Sequence, residues 1–180
     1  PDYSSAASDV YKRQVENALA AISVCINFKI NKSIIKNSLE TFHGVKRRLT
    51  KIYDNNEIIF FDDYAHHPTE IRETLKALKS KSGRLISVIQ PHRYSRLNEN
   101  YGNFIKSLRD ADMSIILPIF SAGEIKIKGI NSLNLTKDIN KKKYTKAYYA
   151  SNFLKAKNKL NQILKPKDTV VFMGAGSISS

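Results

Sequence analysis

Two carboxylates, a phenol and two imidazoles crowd into Asp62-Asp63-Tyr64-Ala65-His66-His67, just ahead of Pro68-Thr69-Glu70. Groups of these types at this density serve proton transfer or metal ligation. The string closes the apolar run 58–61, and Pro68 opens an amphipathic pattern, so it lies where a strand passes into a helix. Open α/β sheets hold their ligands at such strand ends. A second string, Gln90-Pro91-His92-Arg93-Tyr94-Ser95-Arg96, follows the next apolar run. Arg93 and Arg96 converge if a helical turn forms there, and arginine forks grip carboxylate or phosphate through paired bonds. His92 adds a donor. The plain alternatives are a helix entry with solvated histidines and a salt-bridged surface loop. The combination favours a clamp for a small anionic substrate, with both strings on one edge of a sheet. A third group, Lys46-Arg47-Arg48, is either a solvated linker or a reach toward phosphate groups.

Asp and His at short spacing also suit Zn²⁺, Mn²⁺ or Fe²⁺, which would put a metal-dependent hydrolase on Asp62, Asp63, His66 and His67. A closed site needs further ligands, and His43 and His92 stand in contexts that do not supply them, so no metal ligand is assigned. The formal charge of +14 admits a nucleic-acid module or a site for anionic small molecules. The lysines are spread along helical patterns, and the one lysine run, Lys141-Lys142-Lys143, ends such a pattern, where cations meet the negative end of the dipole. No aromatic ladder and no zinc spacing accompanies them, so nucleic acid is not an expected partner. No stretch approaches the roughly 18 apolar residues of a membrane span, and no signal peptide is visible. The single Cys25 excludes an internal disulfide; it reads as a buried, inert thiol and suits a reducing cytoplasm.

The elements that must position these groups follow from periodicity. The 180 residues, 42% apolar, hold one full domain and a piece of another. Residues 1–14 are Ser/Ala-rich without a clear period and read as a non-native or disordered leader. Helices are predicted over 15–28 and over 33–42, the second entered at Asn31 or Lys32 and stopped by Gly44. Residues 15–45 cannot bury a core alone and look like the tail of a preceding domain. From residue 46 the pattern changes. Strands 48–53 and 57–62 flank the turn residues Asp54-Asn55-Asn56. Helices 68–80, 98–110, 133–140 and 151–164 then alternate with strands 85–90, 114–118, 147–149 and 169–173. That order gives an α/β fold with a mostly parallel sheet flanked by helices. Val170-Val171-Phe172-Met173 is apolar throughout, as in a central strand covered on both faces. Gly174-Ala175-Gly176-Ser177 either opens toward a ligand or makes a plain tight turn.

Taken together, Gly44-Val45-Lys46-Arg47-Arg48, the first string through Glu70 and the second through Arg96 resemble the Mur ligases. Asp110-Ala111-Asp112, Ile119-Phe120-Ser121-Ala122-Gly123-Glu124 and the terminal Gly174-Ala175-Gly176 follow in matching order, so the resemblance runs from about Val15 to Ser180. It implies three domains: one for a UDP-sugar, a central ATPase, and a Rossmann-like domain for the incoming amino acid. Residues 15–45 would then be the last helices of the ATPase domain, and 46–180 most of the Rossmann-like domain. The implied chemistry is ATP-dependent amide formation in cytoplasmic peptidoglycan synthesis, through an acyl phosphate on UDP-N-acetylmuramate that the amine of L-alanine attacks. By the same resemblance Asn17 lies near the adenine, Arg48 near the nucleotide phosphates and Asp63 at the ribose. Tyr64, His66, His92, Arg93 and Arg96 match the L-alanine pocket, with His66 or His92 taking the amine proton. Two departures stand out: Tyr11-Lys12-Arg13-Gln14 replaces a His-Asn pair near the adenine, and Ala65 replaces a glycine. No Gly-x-x-x-x-Gly-Lys-Ser/Thr loop occurs, so ATP and Mg²⁺ are expected mainly on the other domains and the chain alone is expected to be inactive.

Overall fold

The computed structural model describes residues 4–42, 45–79, 83–176 and 178, with side chains described from Val15 onward. The chain divides into two compact units, Pro1–Lys46 and Arg47–Ser180. His43, Gly44 and Ser177, which entered the sequence reading, lie outside the described residues.

The first unit is two helices, α1 (Ser4–Asn27) and α2 (Lys32–Glu40). The helix predicted from residue 15 starts at Ser4, because no glycine or proline interrupts the chain before Asn27. Asn31 caps α2 as predicted, accepting from the Ser33 amide at 2.9 Å. A two-helix unit has no interior. Val15, Leu19, Ile26 and Phe28 are exposed, and Cys25 is only half-buried, against the buried thiol that its apolar neighbours suggest.

The second unit carries β1 (Thr50–Asp54), β2 (Ile59–Asp63), α3 (Pro68–Leu78), β3 (Leu85–Ile89), α4 (Tyr94–Glu99), α5 (Tyr101–Ser107), β4 (Met113–Ile116), α6 (Ser132–Lys142), β5 (Lys146–Tyr149), α7 (Phe153–Ile163) and β6 (Thr169–Met173). The sheet runs β1-β2-β6-β3-β4-β5, antiparallel only between β1 and β2. The β1–β2 turn is built as its residues require: Asn55 Oδ1 accepts from the Glu57 and Ile58 amides, and Asp54 Oδ1 from that of Asn56. Strand β6 is central as expected, and it separates the two strands that precede the chemical strings. Asp63 at the end of β2 and Ile89 at the end of β3 both pair with Met173.

Apolar clusters cover both faces. Ile71, Leu75, Ile89, Leu97, Leu108 and Leu135 pack on one, and Ile86, Val88, Ile115, Leu160 and Val170 on the other. Burial of such faces is the main favourable term holding the layers together. The helix predicted over 98–110 is two helices. It begins four residues earlier, at Tyr94, whose ring is buried beside Leu97, and it breaks at Asn100.

Candidate functional site

The end of β2 is held from the segment before β1. Asp63 is buried, and both its carboxylate oxygens accept backbone amides: Oδ2 from Leu49 at 2.9 Å and Oδ1 from Ala65 at 2.7 Å. Burial pushes its carboxyl up from the ordinary range, and the two amides oppose that rise. Asp62 takes Nε of Arg47 at 3.2 Å, while Nη2 of Arg47 donates to the Gly174 carbonyl at 2.6 Å. The Arg47 carbonyl in turn accepts the Tyr64 amide at 2.7 Å. The guanidinium carbons of Arg47 and Arg48 lie 5.2 and 5.8 Å from the Tyr64 ring centre, within cation–π range. Of the basic run, Arg47 therefore points into the sheet end, and Arg48 stays exposed.

The imidazoles divide their roles. His67 is the N-cap of α3, its Nδ1 accepting the Thr69 amide, and Glu70 closes the capping box by taking the His66 and His67 amides. His66 Nδ1 lies 2.9 Å from the Tyr64 carbonyl. A carbonyl only accepts, so Nδ1 is the donor of this bond. The His66 ring packs edge-on to Tyr64 at 5.4 Å, and its centre is 5.5 Å from that of His92. The two strings therefore meet.

His92 stacks on Phe120 with ring centres 5.3 Å apart and planes 18° from parallel. Its Nδ1 faces Nη1 of Arg96 at 3.5 Å. Burial, then the charges of His66, Arg96 and Arg93, push its pKa below the ordinary 6.5, against a smaller pull from Glu124. The ring is thus neutral at neutral pH and can accept a proton. Arg93 and Arg96 do not form one fork. Arg93 Nε donates to Glu124 Oε1 at 2.6 Å, whereas Arg96 turns toward His92. Glu124 also accepts from the Ser95 amide at 3.0 Å and from its hydroxyl at 2.6 Å.

Among the described residues no three of His, Cys, Asp and Glu gather as a metal ion would need. Asp62, Asp63 and His67 are committed to Arg47, to backbone amides and to the α3 cap, so the metal-hydrolase alternative has no support here. Asn17 is exposed on α1, in the first unit. Glu124, Phe120 and Glu70 are site residues to which the sequence assigned no role, although all three stand within the strings that carry the family resemblance.

Set against known proteins, residues 47–176 match the family described as Mur ligase, glutamate ligase domain. The chain belongs to the Mur ligase family. It is 42% identical over 168 residues to a UDP-N-acetylmuramate–L-alanine ligase of Sulfurihydrogenibium sp. (strain YO3AOP1), an alignment covering 92% of this chain and 36% of that protein. The chain thus spans about a third of the length of such relatives. Among solved structures, the UDP-N-acetylmuramate-alanine ligase of Thermotoga maritima superposes with a TM-score of 0.65 at 27% identity, over 92% of this chain and 35% of the other. A murein peptide ligase from Psychrobacter arcticus 273-4 gives 0.71 at 26%, over 91% and 34%. Among the described residues of this Mur ligase chain, no helix is long and apolar enough to cross a membrane.

Proposed function

We propose that this chain is the amino-acid-binding part of an ATP-dependent ligase that joins L-alanine to UDP-N-acetylmuramate in cytoplasmic peptidoglycan synthesis. The observation that carries the reading is the meeting of the two strings, with the His66 and His92 rings 5.5 Å apart and Arg96 against His92. The names and the 42% identity of its relatives support the substrate assignment.

In this reading the muramyl carboxylate takes the γ-phosphoryl group of ATP, releasing ADP. The amine of L-alanine attacks the acyl carbon, and phosphate leaves from the tetrahedral intermediate. ATP and Mg²⁺ belong mainly to the rest of the enzyme; no gathered ligand set for the ion is seen among the described residues. The residues of this chain orient the amino acid. Arg96, with Arg93 beside it, takes the carboxylate of L-alanine, and Tyr64 walls the pocket. The neutral His92 ring, or the His66 ring beside it, accepts the proton that the ammonium must lose before attack. Holding two reactants in this way contributes roughly 7–11 kcal/mol to lowering a barrier. Arg48 and Asn17 serve the nucleotide, and Asp63 serves it through Leu49, the neighbour of Arg48 that it anchors.

The test joins residues 47–180 to the Sulfurihydrogenibium ligase in place of its own matching segment and follows phosphate release. Release should require both UDP-N-acetylmuramate and L-alanine. Arg96→Ala, which removes a charge-assisted carboxylate bond of about 1.5–3 kcal/mol, should raise KM for L-alanine by about 10- to 150-fold and leave that for ATP unchanged. Turnover indifferent to L-alanine would defeat the reading.

A further inference from the structure

Helix α4 carries Arg96, yet its own sequence offers no cap. Its N-cap residue is Arg93, which makes no side-chain capping bond and sits at φ +69°, a left-handed conformation costly for a residue with a Cβ. Three bonds from a different loop supply what is missing. Glu124 Oε2 accepts the Ser95 amide, and Oε1 accepts the Ser95 hydroxyl and Nε of Arg93. The Arg93 amide donates to the Phe120 carbonyl at 2.8 Å, so the loop after β4 holds both the backbone and the side chain of Arg93. The same loop lends Phe120 to the face of His92.

We infer that Glu124 is a positioning residue for the amino-acid clamp: it caps α4 from another loop, engages the Arg93 guanidinium, and so aims Arg96 at the substrate carboxylate. This rests on the L-alanine reading above. The consequence for specificity is electrostatic. With Glu124 opposite Arg93, the three charges sum to one positive, which matches a single carboxylate better than a dianion. The Ser95 bonds, then Arg93, hold the Glu124 carboxyl down to about 2, so this balance persists at any neutral pH.

The ¹⁵N-labelled 180-residue chain, titrated with L-alanine and observed by amide and arginine-Nε NMR, tests this. Saturable shifts are expected at His92 and Arg96 in the parent, and none with L-alaninamide, which lacks the carboxylate. Glu124→Ala should weaken L-alanine binding by about tenfold or more and speed hydrogen exchange at the Ser95 amide, while the dispersed peaks of β3 and β6 stay in place. Glu124→Gln, which keeps an acceptor for the cap but not the charge, should retain slow Ser95 exchange and most of the affinity for L-alanine, while gaining affinity for L-aspartate, whose second carboxylate meets the added positive charge. Unchanged L-alanine affinity in Glu124→Ala and unchanged L-aspartate affinity in Glu124→Gln overturn the inference while leaving the L-alanine reading standing. A parent chain that shows no saturable shift defeats the L-alanine reading, and the inference with it.

Discussion

Replacing Arg47 by alanine should cost the second unit about 3 kcal/mol. Two hydrogen bonds are lost, at 3.2 Å to Asp62 and 2.6 Å to the Gly174 carbonyl. The Asp62 side chain is only 7% exposed, and its other oxygen already lacks a hydrogen-bond partner, so the carboxylate has no second donor in reserve. Breaking a buried pair costs about 3–5 kcal/mol. Arg47 is 28% exposed, which admits water and places the value at the lower end. For a unit of this size each kcal/mol moves the midpoint by about 4 °C, so Tm should fall by about 12 °C. The chain has no tryptophan, but seven of its nine tyrosines lie beyond residue 46, so near-ultraviolet circular dichroism reports on this unit. Arg48→Ala is the control: it faces the same Tyr64 ring from an exposed position and should cost no more than about 1 kcal/mol. Adding Asp62→Asn to Arg47→Ala should recover part of the loss by removing the stranded charge. Equal melts for the two single arginine variants would refute the assignment of Arg47 as the tie between β2 and β6.

His92 should titrate below 6.5 when followed by NMR of its ring, and Arg96→Ala should move it back toward that value by removing one of the charges that depress it. The unfolded ring takes up a proton as pH falls through about 6.5 and the folded ring resists, so stability drops through that window and levels off below the folded value. His92→Gln should flatten that slope, as read by urea midpoints between about pH 5 and 7. Gly83→Ala should cost about 2–4 kcal/mol, because φ is +120° and a Cβ would run into the Lys167 backbone carbonyl. A thermal melt within 1 °C of the parent would contradict it.

The β/α order from residue 46, the β1–β2 turn and the central place of β6 were readable because each rests on local chemistry: turn residues, period, or an unbroken apolar run. The start of α4 was not. Helix entries are recognised from a capping side chain next to the first turn, and here the cap is Glu124, 29 residues from Ser95. Arg47 and Arg48 are adjacent arginines of the same basic run, and only the tertiary fold turns one inward to Asp62 and leaves the other exposed. Asp63 illustrates the same limit. A carboxylate at a strand end reads as a ligand-binding group, whereas its burial commits both oxygens to the backbone.

The turn after β6 joins these threads. Strands β2 and β3 stand on either side of β6, so their ends are separated by two strand spacings, roughly 9–10 Å. Yet the imidazoles that follow them approach to 5.5 Å, so they must reach toward each other across the end of β6. That requires the chain leaving β6 to be slim. Gly174 donates its amide to the Asp63 carbonyl at 3.2 Å and gives its own carbonyl to Arg47. A Cβ on Gly176 would lie 3.0 Å from Gln90 Oε1 and 3.7 Å from the Phe120 ring that supports His92. The glycines therefore serve close approach. A string that sequence alone leaves divided between a ligand-facing helix entry and a plain turn is, in the folded unit, the gap through which the two chemical segments meet.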